Sequence, residues 1–223
     1  MPVASSTIYC AERRRRTQVV VMSDHTPRSE LLEILINNSV QRGRFELSSG
    51  ATSDLYVDAK RTTSDPRAAL LVGAIGWDLL RQNAESRGIN VDSIGGLTMG
   101  ADWMALSIAI AAQLHDPRNT IKAFSVRKSA KKHGLHKRIE GNFDPSHHVV
   151  VVDDVITTGG STLQAIDVIE QLGGHIAFVL VLVDREEGGR QAIQDRGYQV
   201  VPIFTRADVS RIDVERSANL APA

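Results

Sequence analysis

The sequence predicts an α/β domain in which a central, mostly parallel sheet is flanked by helices. Segments with apolar residues at helical spacing alternate along the chain with short aliphatic runs, which is the pattern of parallel strands joined by helices. Two of these runs, residues 149–152 and 176–183, are almost continuously apolar, as strands buried on both faces of a parallel sheet are. A third observation is that capping residues, prolines and glycines separate the segments.

Each predicted element has a local reason. Leu31, Leu32, Leu35 and Ile36 recur at helical spacing, and Gly43 is expected to close that helix. The helix from 64 begins with Ser-Asp-Pro and carries Trp77 as a core residue, and Gly173 and Gly174 end the helix at 161–172. The predicted helices are 28–41, the one from 64, 101–113, 161–172 and 189–196. The predicted strands are 55–58, 93–96, 121–126, 149–152, 176–183 and 198–203. The helix at 101–113 is apolar on almost every side and is therefore expected to be buried.

Length and charge limit the classes of function. The 223 residues fit one globular domain, and the 26 basic and 26 acidic side chains leave no net charge, which argues against a generic nucleic-acid or membrane-surface binder. Cys10 is the only cysteine, so no internal disulfide is possible and a cytoplasmic setting is expected. No apolar run approaches the length of a membrane span.

The two ends of the chain lack the alternating helix and strand pattern of the middle. Residues 1–24 contain the basic run of residues 13–16 and are interpreted as a disordered extension or a misplaced start, with Met22 as an ordinary first residue. A signal peptide is disfavoured because only four apolar residues follow that run, while a twin-arginine or mitochondrial address stays open as the weaker alternative. Residues 25–210 are predicted to form a single domain, and residues 211–223 a tail.

The segment that follows the 149–152 strand is the most informative one. It consists of Asp153, Asp154, Val155, Ile156, Thr157, Thr158, Gly159, Gly160 and Ser161. A turn with hydroxyls, glycines and a helix start suits a phosphate group, and the two carboxylates suit sugar hydroxyls or the water shell of a magnesium ion. An acid pair at a strand end is by itself more often structural, so the combination carries the inference. Neither the ATP-binding loop nor the dinucleotide fingerprint is present.

This segment resembles the phosphoribosyl pyrophosphate motif of type I phosphoribosyltransferases, and the base specificity resembles that of the orotate phosphoribosyltransferase family. Residues 127–134 contain Arg127, Lys128, Lys131 and His133 and resemble that family's mobile catalytic loop, although most charge runs are only solvated surface. Residues 45–58 resemble its N-terminal hood segment, residues 95–102 its pyrophosphate loop, and residues 183–188 the strand end whose arginine, here Arg185, meets the orotate carboxylate. Many members carry lysine where Ser48 and Met99 stand.

The resemblance implies a type I phosphoribosyltransferase fold and a magnesium-dependent pentosyltransferase of pyrimidine biosynthesis that converts orotate and phosphoribosyl pyrophosphate into orotidine 5′-monophosphate and pyrophosphate. It implies the following roles: catalysis by Lys131, His133, Asp153 and Asp154; phosphoribosyl pyrophosphate binding by Arg127, Lys128, Lys131, His133 and residues 153–161; orotate binding by Thr157 and Arg185; and Mg²⁺ binding by Asp153 and Asp154 through water. It also implies a homodimer with shared active sites, and neither nucleic acid nor membrane as a partner.

Two alternatives remain at the level of sequence. One is a phosphoribosyltransferase for another base, which is weaker because aromatic residues, on which a purine would stack, make up only 4% of the chain. The other is a regulator with the same fold and no catalysis, for which the basic run at 13–16 is the only candidate nucleic-acid contact. An ordinary surface ion pair with Glu186 or Glu187 is the structural alternative for Arg185.

Overall fold

The computed structural model describes residues 26–46, 52–118, 120–129 and 138–210. The helices are α1 Pro27–Ser39, α2 Lys60–Thr63, α3 Pro66–Glu85, α4 Gly100–His115, α5 Gly160–Gln171 and α6 Gly189–Asp195. The strands are β1 Val40–Glu46, β2 Thr52–Val57, β3 Ser93–Leu97, β4 Lys122–Val126, β5 Ile139–Gly141, β6 His148–Ile156, β7 His175–Asp184 and β8 Val200–Thr205. The predictions for residues 1–24, Ser48, Lys131, His133 and the tail lie outside the described residues.

The main sheet has six strands in the order β5-β4-β3-β6-β7-β8. The strand pairs of β3 with β4 and β6, of β6 with β7 and of β7 with β8 are parallel, and only β5 pairs in the antiparallel sense. The predicted α/β fold with a mostly parallel central sheet is therefore confirmed. Successive strands leave β3 in one direction through β4 and in the other through β6, which makes the β3–β6 boundary the point where such sheets bind ligands.

Two apolar layers lie on opposite faces of this sheet, and the valine run of β6 supplies both. Val150 and Val152 belong to the layer formed with α1, α3 and α4, whereas Val149 and Val151 belong to the layer formed with α5. Alternate side chains of a strand point to opposite faces, so an uninterrupted aliphatic run is what a strand covered on both sides requires. Trp77 is buried in the first layer, as predicted.

The first helix ends earlier than predicted, and a strand follows it at once. The helix α1 stops at Ser39, and β1 and β2 form a separate antiparallel hairpin. Gly43 lies inside β1 with φ +152°, next to a register shift between Arg42 and Phe45, and so does not close the helix. The prediction was wrong because residues 41–44 are exposed, so the strand has no buried face to produce an alternating pattern.

The helix α4 is not buried on all sides. Its inner face packs against α3, where Gly73 and Gly76 let the two helices approach, because a Cβ at Gly73 would lie 2.6 Å from the Ser107 carbonyl oxygen. Its outer face leaves Ile110 and Leu114 50% and 75% exposed in the single chain. None of the helices in the described ranges is both long enough and apolar enough to cross a membrane.

Candidate functional site

Asp153 and Asp154 lie within β6, near its carboxyl end. The strand pairs with β7 as far as Ile156, but its pairing with β3 ends at Val151. The chain that leaves β3 nevertheless passes directly against the acid pair. A Cβ at Gly100 would collide with the Asp154 carboxylate, so only glycine allows this approach. The two carboxylates therefore sit at the β3–β6 boundary, in contact with the start of α4.

Both carboxylates are buried, being 4% and 9% exposed. Asp153 accepts hydrogen bonds from the Thr162 hydroxyl at 2.7 Å and from the Asp154 N–H at 3.0 Å. Burial, reinforced by the negative charge of Asp154, raises the pKa of Asp153 to about 7. Burial also raises the pKa of Asp154, against the opposing effect of Lys60. Such a pair gains from hydroxyl donors or a cation brought by a ligand.

The turn at residues 157–161 joins β6 to α5 and is supported from below by α6. Gly159 has φ +83° and precedes the first turn of α5, where no side chain caps the free N–H groups. The Gly189 N–H donates to the Thr157 carbonyl at 2.8 Å, and a Cβ at Gly189 would lie 2.5 Å from that oxygen. Thr158 and Ser161 are exposed. Backbone amides and hydroxyls are thus held in place around a space that suits a phosphate.

A cavity of about 360 Å³ lies beside the acid pair. It is lined by Lys60, Leu97, Thr98, Met99, Gly100, Lys128, Asp153, Asp154, Val155 and Ser161. The structure thus brings together the predicted acid pair, the start of the phosphate turn, the predicted pyrophosphate loop and one cation of the predicted basic loop. These segments come from the ends of β3, β4 and β6 and from α2, so the cavity depends on the strand order of the sheet.

Asp102 connects the loop after β3 to β4. Its two carboxylate oxygens accept hydrogen bonds from the Thr98 hydroxyl at 2.8 Å and the Ser125 hydroxyl at 2.5 Å. The Thr98 N–H also donates to the Val126 carbonyl at 2.8 Å. The loop that lines the cavity is therefore fixed to the strand that leads to Arg127 and Lys128.

The two stems of the predicted catalytic loop lie side by side, and one of them lines the cavity through Lys128. Val126 pairs with Ile139, and the Arg127 N–H donates to the Arg138 carbonyl at 2.8 Å. The Arg127 guanidinium lies 3.7 Å from Glu140, and the Lys128 carbonyl accepts from Gln164 on α5 at 2.9 Å. Of these stem residues, Lys128 lines the cavity that contains the acid pair.

Arg185 follows β7 and is 2% exposed. Its N–H donates to the Ile156 carbonyl at 3.0 Å, which places it beside the start of the phosphate turn. The guanidinium donates to the Leu55 carbonyl of β2 at 2.6 Å and lies 2.7 Å from the Glu187 carboxylate. The predicted alternative of an ion pair with Glu187 is therefore correct for the contact, but Arg185 is buried and also bonded to β2, so the pair is not an ordinary surface one. Arg185 is not part of the lining of the 360 Å³ cavity.

Comparison with known proteins agrees with this arrangement. No protein-family model matches the chain. The orotate phosphoribosyltransferase of Streptomyces coelicolor is 43% identical over 168 residues, which cover 75% of this chain and 88% of that protein. The crystal structure of Mycobacterium tuberculosis orotate phosphoribosyltransferase in complex with Fe(III) dicitrate has a TM-score of 0.68 at 38% identity and covers 82% of this chain and 99% of that one.

A second crystal structure of the Mycobacterium tuberculosis enzyme, in complex with 5-phospho-alpha-D-ribosyl 1-diphosphate, has a TM-score of 0.65 at 34% identity and covers 83% of this chain and 99% of that one. This chain belongs to the orotate phosphoribosyltransferase family. The family resemblance carried by the 153–161 segment is therefore confirmed, and with it the predicted type I phosphoribosyltransferase fold.

The structure adds to the site two residues that sequence reasoning missed. Lys60 lines the cavity and Asp102 fixes the loop beside it. Asp102 lies in the segment that resembles the family's pyrophosphate loop, so the sequence did point to its neighbourhood. No sequence signal pointed to Lys60, because its position depends on the path of the β1–β2 hairpin, a long-range feature.

The acid pair fits a divalent cation bound through water better than one bound by a full set of ligands. Among the described residues, no group of three or more His, Cys, Asp and Glu side chains is placed to hold a metal ion. Asp153 and Asp154 are nevertheless two adjacent carboxylates with raised pKa values in a cavity wall. Oxygen ligands of this kind suit Mg²⁺, which usually keeps several waters and shares substrate phosphates.

Proposed function

We propose that this chain catalyses the magnesium-dependent transfer of ribose 5-phosphate from phosphoribosyl pyrophosphate to N1 of orotate. A bond forms between N1 and C1 of the ribose, the bond from C1 to the pyrophosphate oxygen breaks, and the N1 proton is lost. The observation that carries the proposal is the buried acid pair at the β3–β6 boundary, with a phosphate-sized turn on one side and the 97–100 loop on the other. The products are orotidine 5′-monophosphate and pyrophosphate.

Different residues bind different parts of the substrate. The turn at 157–161 binds the 5-phosphate, Asp153 and Asp154 accept hydrogen bonds from the ribose hydroxyls, and the 97–100 loop faces the pyrophosphate. Asp153 and Asp154 would hold Mg²⁺ through water, and the ion when bound offsets the charge of the leaving pyrophosphate. Since the bond between C1 and oxygen breaks as positive charge develops on the ribose, positioning and charge account for most of the rate acceleration.

Lys131 and His133 are assigned to the pyrophosphate in this proposal, together with Arg127 and Lys128. The support is that the two stems of their loop pair with each other and that Lys128 lines the cavity. Cations brought to a leaving group by a closing loop stabilise the transition state and exclude water. Thr157 and Arg185 are assigned to orotate, whose carboxylate would share or replace the contact of Arg185 with Glu187.

A spectrophotometric assay of orotate consumption tests the activity. With phosphoribosyl pyrophosphate and magnesium, orotate absorbance should fall, and the Lys131→Ala variant should turn over slower by orders of magnitude while unfolding at the same temperature. Consumption of adenine or hypoxanthine in place of orotate would favour the other-base alternative. Binding of phosphoribosyl pyrophosphate without turnover of any base would favour the regulator.

The proposal includes a homodimer with shared active sites, in the cytoplasm. The outer faces of α3 and α4 form a groove of about 320 Å³, and Leu70, Ile110 and Leu114 in it are 50% to 75% exposed. Exposed apolar patches of this kind mark protein interfaces. The occupant proposed is a second copy, because this groove is apolar and exposed in the single chain.

Two measurements test the dimer. Leu114→Asp should shift the sedimenting species from dimer to monomer, whereas an unchanged mass would argue against this face. Mixing inactive Lys131→Ala chains with inactive Asp153→Asn chains should restore activity, because one site of each mixed dimer would then be intact. Absence of recovery would count against contribution of the loop from the neighbouring chain.

A further inference from the structure

Lys60 is a cation in the cavity wall to which neither the predicted motifs nor the proposed roles assign a function. It is the first residue of α2, and its Nζ lies 2.7 Å from Asp58 Oδ1. The same cavity wall contains Met99, Asp154 and Lys128. Lys60 and Asp154 thus face the same cavity.

Lys60 lines the cavity together with the acid pair and residues 97–100, the loop proposed to face the pyrophosphate. Asp153 contacts the helix that follows the phosphate turn through the Thr162 hydroxyl, whereas Asp154 lies against Gly100 of that loop. A ligand with its 5-phosphate in the turn and its ribose on the acid pair would therefore extend its remaining phosphates toward Lys60.

The support beneath Lys60 is rigid. Thr62 and Thr63 are buried, and the Thr62 hydroxyl lies 2.6 Å from that of Ser39 at the end of α1. The Asp58 N–H donates to the Ser39 carbonyl at 2.9 Å. Lys60 therefore projects from a fixed element, in contrast to Lys128, which stands at the base of a loop. A preorganised cation of this kind loses little freedom when it binds an anion.

The carboxylates around the cavity would repel a phosphate ligand unless a cation offset their charge. Asp58, Asp153 and Asp154 place three carboxylates in or beside the wall. A ligand with several phosphate charges is repelled by carboxylates, and Met99, which occupies the loop opposite, brings no charge to offset them. Of the cavity-lining residues in the described part of the chain, Lys60 and Lys128 are the two that carry positive charge.

We propose that Lys60 binds substrate directly, its ammonium group donating hydrogen bonds to the pyrophosphate portion of phosphoribosyl pyrophosphate while Asp58 fixes its position. This inference rests on the proposed function, because it takes the substrate and its orientation from there. It makes Lys60 a stationary contact for the same phosphates that the basic loop is proposed to cover.

Calorimetric titration of Lys60→Met with two halves of the substrate tests the proposal. The Kd for inorganic pyrophosphate, at fixed magnesium, should rise about tenfold or more, the usual effect of losing one charge-assisted hydrogen bond. The Kd for ribose 5-phosphate, which occupies the turn and the acid pair, should stay within about threefold. Steady-state assays should show the same split, with KM for phosphoribosyl pyrophosphate raised and KM for orotate nearly unchanged.

Arg61→Met is the matched control, because Arg61 is the next residue of α2, is exposed and does not line the cavity. It should bind both ligands as the unaltered chain does, and Lys60→Arg should regain most of the pyrophosphate affinity. An unchanged Kd for pyrophosphate in Lys60→Met, or an equal loss for both ligands, would overturn the inference. If the unaltered chain failed to consume orotate, yet Lys60→Met weakened the binding of pyrophosphate and not that of ribose 5-phosphate, the proposed function would fail and the role of Lys60 would stand.

Discussion

Replacing Asp153 by asparagine should stabilise the fold at alkaline pH while abolishing activity. Asp153 is buried in the wall of the cavity beside a second carboxylate, and these surroundings raise its pKa to about 7 from the ordinary value of 3.8. The protein without ligand thus holds a charge that burial and Asp154 both disfavour. Asparagine keeps the shape and one acceptor oxygen without the charge, so the variant should escape this cost and lose the ribose contact.

The pH dependence follows from the direction of the shift. Between pH 4 and pH 7 the folded chain keeps a proton on Asp153 that the unfolded chain has lost, so the free energy of unfolding falls as the pH rises through this range. The difference between 3.8 and about 7 corresponds to about 4 kcal/mol, which is fully expressed above the folded pKa. The advantage of Asp153→Asn should therefore approach about 4 kcal/mol at pH 8 and shrink toward zero near pH 4.

Urea unfolding of both chains at pH 5 and pH 8, with EDTA to remove divalent ions, measures this difference. Asp78→Asn is the control, since Asp78 is exposed on α3, and it should change stability by less than about 0.5 kcal/mol at either pH. An Asp153→Asn chain that is less stable than the unaltered chain at pH 8, or a difference that does not depend on pH, would refute the reasoning.

Three further predictions concern the groups around the acid pair. Glu187→Gln removes the carboxylate that engages Arg185 and should lower KM for orotate several-fold in steady-state assays, an unchanged KM being evidence against the proposed base site. Gly189→Ala places a Cβ 2.5 Å from the Thr157 carbonyl oxygen and should raise KM for phosphoribosyl pyrophosphate about tenfold or more by displacing the phosphate turn. Asp102→Ala leaves two hydroxyl groups without their acceptor and should reduce the free energy of unfolding by about 2 kcal/mol in urea titrations.

The part of the fold that sequence predicted well is the part whose signals are local. The valine run of β6 indicates a strand covered on both faces. Asp65 followed by proline indicates the start of α3, where the Asp65 carboxylate accepts a hydrogen bond from the Ala68 N–H at 2.9 Å. The phosphate turn is likewise continuous in sequence. Such features need no knowledge of distant residues, so periodicity and capping are enough to find them.

The features that sequence missed depend on contacts between distant segments. Residues 41–44 of β1 are exposed and carry no alternating pattern, so only the pairing of the strand with β2 defines it. The antiparallel β5 has three residues and exists through its pairing with β4. Lys60 reaches the cavity because that hairpin returns the chain to the end of α1, where Ser39 anchors α2. The propensities of local sequence do not encode these contacts between distant segments, so they could not predict them.

The acid pair explains why the same site can oppose stability and favour binding. Asp153 and Asp154 are fixed in the strand at the β3–β6 boundary, where surrounding elements exclude water, so their charges are costly in the absence of ligand. Hydroxyl groups and a cation brought by a ligand would supply the interactions that water cannot, and part of the burial cost would be recovered on binding. In the free protein Lys60 pairs with Asp58 and partly offsets the effect of burial on the pKa of Asp154. The free-energy cost of burying the charge of Asp153 therefore remains in the free protein, and binding of a ligand would reduce it.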